Sequence, residues 1–220
     1  MKKIVVLTGA GISAESGLAT FRDSDGLWEN YSVYEVATPE AWQKDPALVL
    51  EFYNQRRKDI RDTRPNPAHL ALAELEKEYS VNIITQNIDD LHERAGSSHV
   101  MHLHGQINQA RSSIDPQLLY PIKHWQMKMG EKCTKGSQLR PNIVWFGEEV
   151  PMMEAAVPVV MQADIFIVIG TSLQVYPAAS LVNFVPTKAN KYHIDPKGLS
   201  TGQAQDFTVI KEKAVKGIRT

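Results

Sequence analysis

The sequence predicts an α/β fold: a parallel sheet with helices on both faces, interrupted by a small inserted domain. Three observations lead there. A β-branched run, Ile4-Val5-Val6-Leu7, opens directly into a glycine-rich turn, Thr8-Gly9-Ala10-Gly11-Ile12-Ser13-Ala14. Short apolar strands then alternate with helical patterns along the chain, the rhythm of βαβ units and a parallel sheet. Between residues 106 and 140 that rhythm stops. The expected architecture is a Rossmann-like sheet built from 1–105 and 141–220, with 106–140 as the insert.

The first turn fits the G-x-G-x-x-G/A pattern that sets a pyrophosphate against a helix N-terminus. Gly9 and Gly11 lack a Cβ, so the backbone can turn tightly and approach a ligand, and Ala14 lets the helix lie close to the strand. The pattern alone fits a nucleotide site and a purely structural turn equally well. A dehydrogenase would place a ribose-binding acid about 20 residues on. Glu29 and Glu35 lie in that region, but neither ends a second strand. An adenine dinucleotide is expected, without ordinary hydride transfer.

Residues 18–28 are polar and turn-rich, as in a lid that follows a phosphate turn. Within it Arg22 faces phosphate or is a surface charge, and Phe21 and Trp28 cover a ligand or anchor the loop. Residues 39–62 read as helical, with starts at Pro39 and Pro46. Tyr53 and Arg56 are three apart and share a face, suited to a carboxylate or simply a surface pair. Judged on residue type alone, the surface pair is favoured. Asn66-Pro67 caps a helix carrying Ala68, Ala71, Leu72, Leu75 and Tyr79 at helical spacing.

Val81–Ile84 is a strand ending in the polar cluster Thr85-Gln86-Asn87-Ile88-Asp89-Asp90-Leu91-His92. Ligands gather at that edge of an open parallel sheet. In Met101-His102-Leu103-His104-Gly105, alternation would point the two histidines the same way. Pro141–Glu148 is a further apolar stretch, 151–162 a helix bent near Pro158, and Ile165–Ile169 a buried strand ending in Gly170-Thr171-Ser172. Lys191–Asp195 is one more short strand.

Bulk properties narrow the function classes. A net charge of -1 with mixed signs gives no nucleic-acid footprint. One cysteine, Cys133, excludes an internal disulfide and suits a reducing compartment. Four apolar residues after Met1-Lys2-Lys3 are too few for a signal-peptide core, and no run approaches the ~20 apolar residues of a membrane span. A cytoplasmic protein with no membrane partner is expected.

Six motifs in order resemble the sirtuins, NAD-dependent protein-lysine deacylases. They are Gly9-Ala10-Gly11-Ile12-Ser13, Phe21-Arg22, Thr85-Gln86-Asn87-Ile88-Asp89, His102-Leu103-His104-Gly105, Val144-Trp145-Phe146-Gly147-Glu148 and Gly170-Thr171-Ser172-Leu173. The resemblance implies that Gly9, Ala10, Gly11, Ser13, Phe21 and Arg22 line an NAD pocket. It implies that Gln86, Asn87 and Asp89 hold the nicotinamide and its ribose. Gly170, Thr171 and Ser172 would contact the adenosine side, with Asp195 and Ala214 near the adenine; the family often has asparagine where Asp195 stands. His104 matches the catalytic base, with His102 as a structural group. Val144, Phe146 and Gly147 would flank an acyl-lysine tunnel, where a peptide adds as a strand.

The implied reaction begins with attack of the acyl-lysine amide oxygen on the ribose carbon that carries nicotinamide. The imidazole then deprotonates a ribose hydroxyl, and water completes formation of lysine and 2'-O-acyl-ADP-ribose. Ala37, Tyr53 and Arg56 resemble the branch that removes succinyl and malonyl groups: a small residue widens the pocket, and phenol and guanidinium meet the carboxylate. Acetyl removal is expected alongside. Protein ADP-ribosylation from the same NAD site is the alternative, and a non-catalytic NAD-binding module is a third reading.

The chain departs from the family in the insert. Most sirtuins hold structural zinc with four cysteines; here Ser112, Asp115, Cys133 and Gly136 stand at those places. No zinc is expected, because one thiolate cannot make a closed tetrahedral site. Leu118, Leu119, Tyr120, Ile122 and Trp125 are expected to form a small core instead.

Overall fold

The computed structural model describes residues 1–20, 27–28, 31–199 and 206–219. In chain order the first elements are β1 (Lys3–Thr8), α1 (Gly11–Ala14), β2 (Leu27–Trp28), β3 (Tyr31–Ser32), α2 (Val33–Val36), α3 (Pro39–Lys44), α4 (Pro46–Asp62) and α5 (Pro67–Leu75). Then come β4 (Ser80–Thr85), α6 (Leu91–Arg94), β5 (Val100–His102), β6 (Gly105–Ser112), β7 (Leu119–Pro121) and β8 (Leu139–Ile143). The chain continues with α7 (Met152–Val160), β9 (Ile165–Ile169), a 3-10 helix (Ala178–Phe184), β10 (Asn190–Ile194), β11 (Thr208–Ile210) and α8 (Ala214–Gly217).

The main sheet has six parallel strands in the order β11-β10-β9-β1-β4-β5. Helices cover both faces, as expected. Alternation along β1 shows why. Val5 and Leu7 pack with Ala156 and Val160 of α7 and Leu181 of the 3-10 helix. Ile4 and Val6 pack on the other side with Ala68 and Leu72 of α5 and Ala214 of α8. A strand buried on both faces needs an unbroken apolar run, and Ile4–Leu7 supplies it. Each such side chain contributes about 2 kcal/mol by leaving water. β1 lies between β4 and β9, so the chain order reverses there, and a crevice opens beyond the strands' C-terminal ends.

Helices α3 and α4 meet at Asp45. Its backbone N–H closes α3 onto Ala41 O, and its carboxylate accepts from Leu48 N at 2.9 Å to open α4. Pro46 at the first helical position has no N–H to leave unpaired. Asn66 caps α5 by accepting from Ala68 N at 2.9 Å. Regular α5 ends at Leu75, short of the periodic Tyr79.

A second, antiparallel sheet, β7-β6-β8, occupies residues 105–143. Its core differs from the expected one. Ala110, Met127, Cys133 and Leu139 pack around Leu50 of α4, with Trp42, Tyr120 and Ile122 against them. Leu119 is half exposed, because β7 turns Tyr120 inward and its neighbours outward. A unit this small cannot fill a core alone and borrows one from α3 and α4. Among the described residues, no helix is long and apolar enough to cross a membrane.

Candidate active site

The two glycine turns interlock at the crevice. Gly9 N–H donates to Ile169 O at 3.0 Å, and Gly11 N–H donates to Gly170 O at 2.9 Å. A Cβ on Gly9 would fall 2.6 Å from Thr171 Cβ, and one on Gly11 would fall 2.6 Å from Gly170 Cα. Gly170 has φ +65°, and a Cβ there would reach 2.3 Å from Ile12 N. The sequence pattern assigns Gly9 and Gly11 to a tight turn and to close approach of a ligand. In the structure their missing side chains admit the second turn, and the pair of turns then forms the floor.

Above this floor lies a cleft of about 620 Å³. Its walls carry the two glycine turns with Asp195 and Ala214, the polar residues Ser13, Gln86, Asn87, Asp89 and His104, and Ala37, Tyr53, Arg56, Val144, Phe146 and Gly147. Ser172 is not on the wall; its hydroxyl is buried with no partner among the described residues. Phe21 and Arg22, with most of the expected lid, lie outside the described residues.

β5 ends at His102, and Leu103 and His104 form a turn, so strand alternation does not extend to His104. Leu103 enters the core instead. His102 Nε2 meets Glu93 Oε1 at 2.7 Å and Nδ1 donates to Asn87 O at 2.9 Å. Burial opposes charge on this ring, but the Glu93 carboxylate and the Asn87 carbonyl outweigh it, and the His102 pKa is raised. His104 is the opposite case. Burial lowers its pKa, only partly offset by the Gln86 carbonyl 3.0 Å from Nδ1. A carbonyl only accepts, so Nδ1 carries the proton and Nε2 keeps a lone pair. The ring is a neutral base on the wall of the cleft.

Asn87 and Asp89 are held by a buried network. Ser13 Oγ donates to Asp89 Oδ2 at 3.0 Å, and Leu91 N donates to Asp89 Oδ1 at 3.1 Å. Burial raises the Asp89 pKa, although both hydrogen bonds act against it. Asn87 Nδ2 donates to Gly9 O and to Ser13 Oγ, both at 3.2 Å. Sequence reasoning missed His69, which lies 3.5 Å from Ser13 Oγ and packs edge-on to His92 at 4.9 Å between centroids. Burial holds His69 down to about 4. A signal was available: His69 follows the Asn66 cap by three residues, on the same helical face as Leu72.

Tyr53 and Arg56 are both buried, at 0% and 5% exposure, against the surface pair that residue type alone favours. Segment 143–147 lies against Tyr53 and Ala37. Trp145 Nε1 donates to Tyr53 Oη at 3.1 Å, and Phe146 N donates to Ala37 O at 3.0 Å. Arg57, one step round α4, donates instead to Ile107 O at 2.7 Å and Trp125 O at 2.8 Å and so anchors the second sheet.

A family model described as the Sir2 family matches residues 9–177. The chain belongs to the Sir2 family. It is 55% identical, over 99% of its length and 95% of the relative's, to the NAD-dependent protein deacylase of Bacteroides thetaiotaomicron. It is 54% identical to the protein of that name from Helicobacter pylori, covering 100% of this chain and 95% of the other. The crystal structure of a Sir2 homologue–NAD complex superposes with a TM-score of 0.89 at 42% identity, covering 99% of this chain and 86% of that one.

Where the resemblance implies a zinc-binding insert, the residues present are joined in another way. Ser112 Oγ and Ser137 Oγ lie 2.8 Å apart, and Cys133 Sγ lies 3.1 Å from Ser137 Oγ. Asp115 pairs with Lys135 Nζ at 2.8 Å, and Gly136 offers only backbone. One thiol, two hydroxyls and a carboxylate already paired do not fit a closed zinc site. The two turns are joined by hydrogen bonds instead.

Proposed function

We propose that this Sir2-family chain is an NAD-dependent protein-lysine deacylase whose acyl pocket accepts succinyl and malonyl groups as well as acetyl. One observation carries the acyl preference: Tyr53 and Arg56 wall the same cleft as His104. A buried carboxylate needs donors, and a phenol and a guanidinium supply them. Ala37 beside them leaves room for the longer acyl chain.

The cleft suits NAD. The interlocked turns leave a flat backbone floor, and the buried Ser172 hydroxyl lies next to it without a partner among the described residues. Gly9, Ala10, Gly11, Gly170 and Thr171 would hold the pyrophosphate region, with Asp195 and Ala214 toward the adenosine. Gln86, Asn87 and Asp89 would hold the nicotinamide ribose. NAD supplies a ribose carbon with nicotinamide as its leaving group. His104 Nε2 then takes the proton from a ribose hydroxyl, so that the hydroxyl can accept the acyl group. The lowered His104 pKa keeps that nitrogen unprotonated at neutral pH. The lone cysteine supports a reducing compartment, which we read as the cytoplasm.

The test compares kcat/KM for acetyl-, malonyl- and succinyl-lysine on one peptide, in the wild type and in Arg56→Met. Loss of a charge-assisted contact should lower desuccinylation about 10- to 100-fold more than deacetylation. Equal losses refute the carboxylate role. ADP-ribosylated protein without free lysine would instead mark transfer of ADP-ribose.

A further inference from the structure

Trp145 stands in the middle of the acyl-pocket segment, yet the resemblance gives a role to Val144, Phe146 and Gly147 and none to the tryptophan between them. In the structure it is tethered by both its ring and its backbone. It is 2% exposed. Its ring lies under the Arg140 guanidinium, with Cζ 3.2 Å from the ring centroid, and against Trp42 at 5.8 Å between centroids. Its backbone N–H donates to Glu148 Oε2 at 2.8 Å. Glu148 in turn accepts from Arg140 at 2.7 and 3.1 Å and from Arg111 at 3.0 Å on both oxygens. These three contacts hold Trp145 in place, and its Nε1–H meets Tyr53 Oη at 3.1 Å.

The sense of that last bond matters. An indole N–H only donates, so the Tyr53 oxygen is the acceptor. A phenol O–H stays near its ring plane and has two favourable directions. A donor occupying one in-plane lone pair leaves the other direction for the phenol's own proton. A carboxylate offers no proton, so it binds Tyr53 only when that proton points at it. Burial pushes the Tyr53 pKa well above its ordinary value despite the Trp145 bond and the nearby Arg140 and Arg56 charges, so the proton stays in place.

We propose that Trp145 is a positioning residue for acidic acyl groups: its indole N–H fixes the Tyr53 hydroxyl as a donor into the acyl pocket, and the Arg140–Glu148 pair holds the indole to that task. The inference rests on the acidic-acyl reading above and adds a specificity determinant to it. An acetyl group has no carboxylate and makes no use of the arrangement.

The experiment measures kcat/KM for succinyl- and acetyl-lysine on one peptide at saturating NAD in four proteins: wild type, Trp145→Phe, Tyr53→Phe and the double variant. Phenylalanine keeps an aromatic face for Arg140 and removes the N–H. The readout is the succinyl-to-acetyl ratio within each preparation, which is independent of the fraction correctly folded. The ratio should fall about fivefold to tenfold in Trp145→Phe, the worth of one hydrogen bond, and the fall should lie in KM. In the Tyr53→Phe background the same change should produce no further fall, because its effect runs through the hydroxyl. A ratio within twofold of wild type in Trp145→Phe, or an equal fall without the hydroxyl, overturns the inference. If Tyr53→Phe lowers the ratio while Trp145→Phe does not, the acidic-acyl reading stands and this inference alone fails. If Tyr53→Phe itself leaves the ratio unchanged, both fail.

Discussion

Replacing Glu148 by glutamine removes one charge from a three-residue ion cluster and leaves its size almost unchanged. Glu148 bridges Arg140 and Arg111 and accepts from Trp145 N. The three side chains are 19%, 9% and 14% exposed, so solvent screens the cluster only weakly. Removing one partner of a buried pair costs about 3–5 kcal/mol. Arg140 keeps its 3.0 Å bond to Ile143 O and its place over Trp145, which reduces that to about 2–3 kcal/mol. For a chain of this length, that corresponds to a fall in Tm of about 5–10 °C. Removing the guanidinium as well, in Glu148→Gln/Arg140→Met, should restore part of the loss.

The pH dependence checks the cause. Burial alone would raise the Glu148 pKa, but the Arg140 hydrogen bond, the Trp145 N–H and the arginine charges outweigh it, and the folded-state pKa is lowered. A carboxylate depressed on folding contributes its stability above the unfolded value, near 4.3, and loses it as pH falls through the folded value. The gap between wild type and Glu148→Gln in urea unfolding should therefore be full at pH 7 and shrink below about pH 4. A gap under about 1 kcal/mol at pH 7, no larger than an exposed pair gives, would refute the reasoning. So would a gap that does not change with pH.

Two further outcomes follow from the His104 site. His104→Ala should abolish turnover while leaving the NAD dissociation constant within a few-fold, as read by calorimetry. In the wild type, the acidic limb of kcat/KM should fall below pH 6.5, because a base with a lowered pKa stays unprotonated to lower pH. A limb at or above pH 7 would show that another group governs the reaction.

The main sheet was legible because its strands are buried on both faces. Ile4–Leu7 and Ile165–Ile169 are continuous apolar runs ending in glycine turns, and that pattern has few other readings. The edge strand β11 leaves no such pattern in the sequence. Its three residues, Thr208–Ile210, are exposed or partly exposed and too few to show a period. The second sheet was hidden for another reason. Residues 105–143 fold on side chains of α3 and α4, so their own pattern never shows a complete core. Ser112, Ser137 and Cys133 join its turns through hydrogen bonds whose partners no spacing rule predicts.

Helix α4 shows most clearly where residue type misleads. A polar residue on a helix is normally read as solvated, and Tyr53 with Arg56 is therefore read as a surface pair. Yet Asn54, Arg56 and Arg57 are all buried along with Tyr53. The helix is covered on two sides by different structures. Tyr53 and Arg56 turn to the cleft, and segment 143–147 lies against Tyr53. Asn54 and Arg57, about 100° further round, turn to the second sheet. There Asn54 exchanges two 2.8 Å bonds with the backbone of Met127, and Arg57 binds the carbonyls of Ile107 and Trp125. Burial of an arginine is tolerable only where acceptors wait for it. For Arg57 they are backbone carbonyls of a sheet that has no cysteine tetrad to hold it. Arg56 lines the wall of the cleft beside Tyr53. One helix thus holds the insert with one pair of residues and lines the cleft with the pair beside it, so insert and cleft wall are fixed by the same seventeen residues.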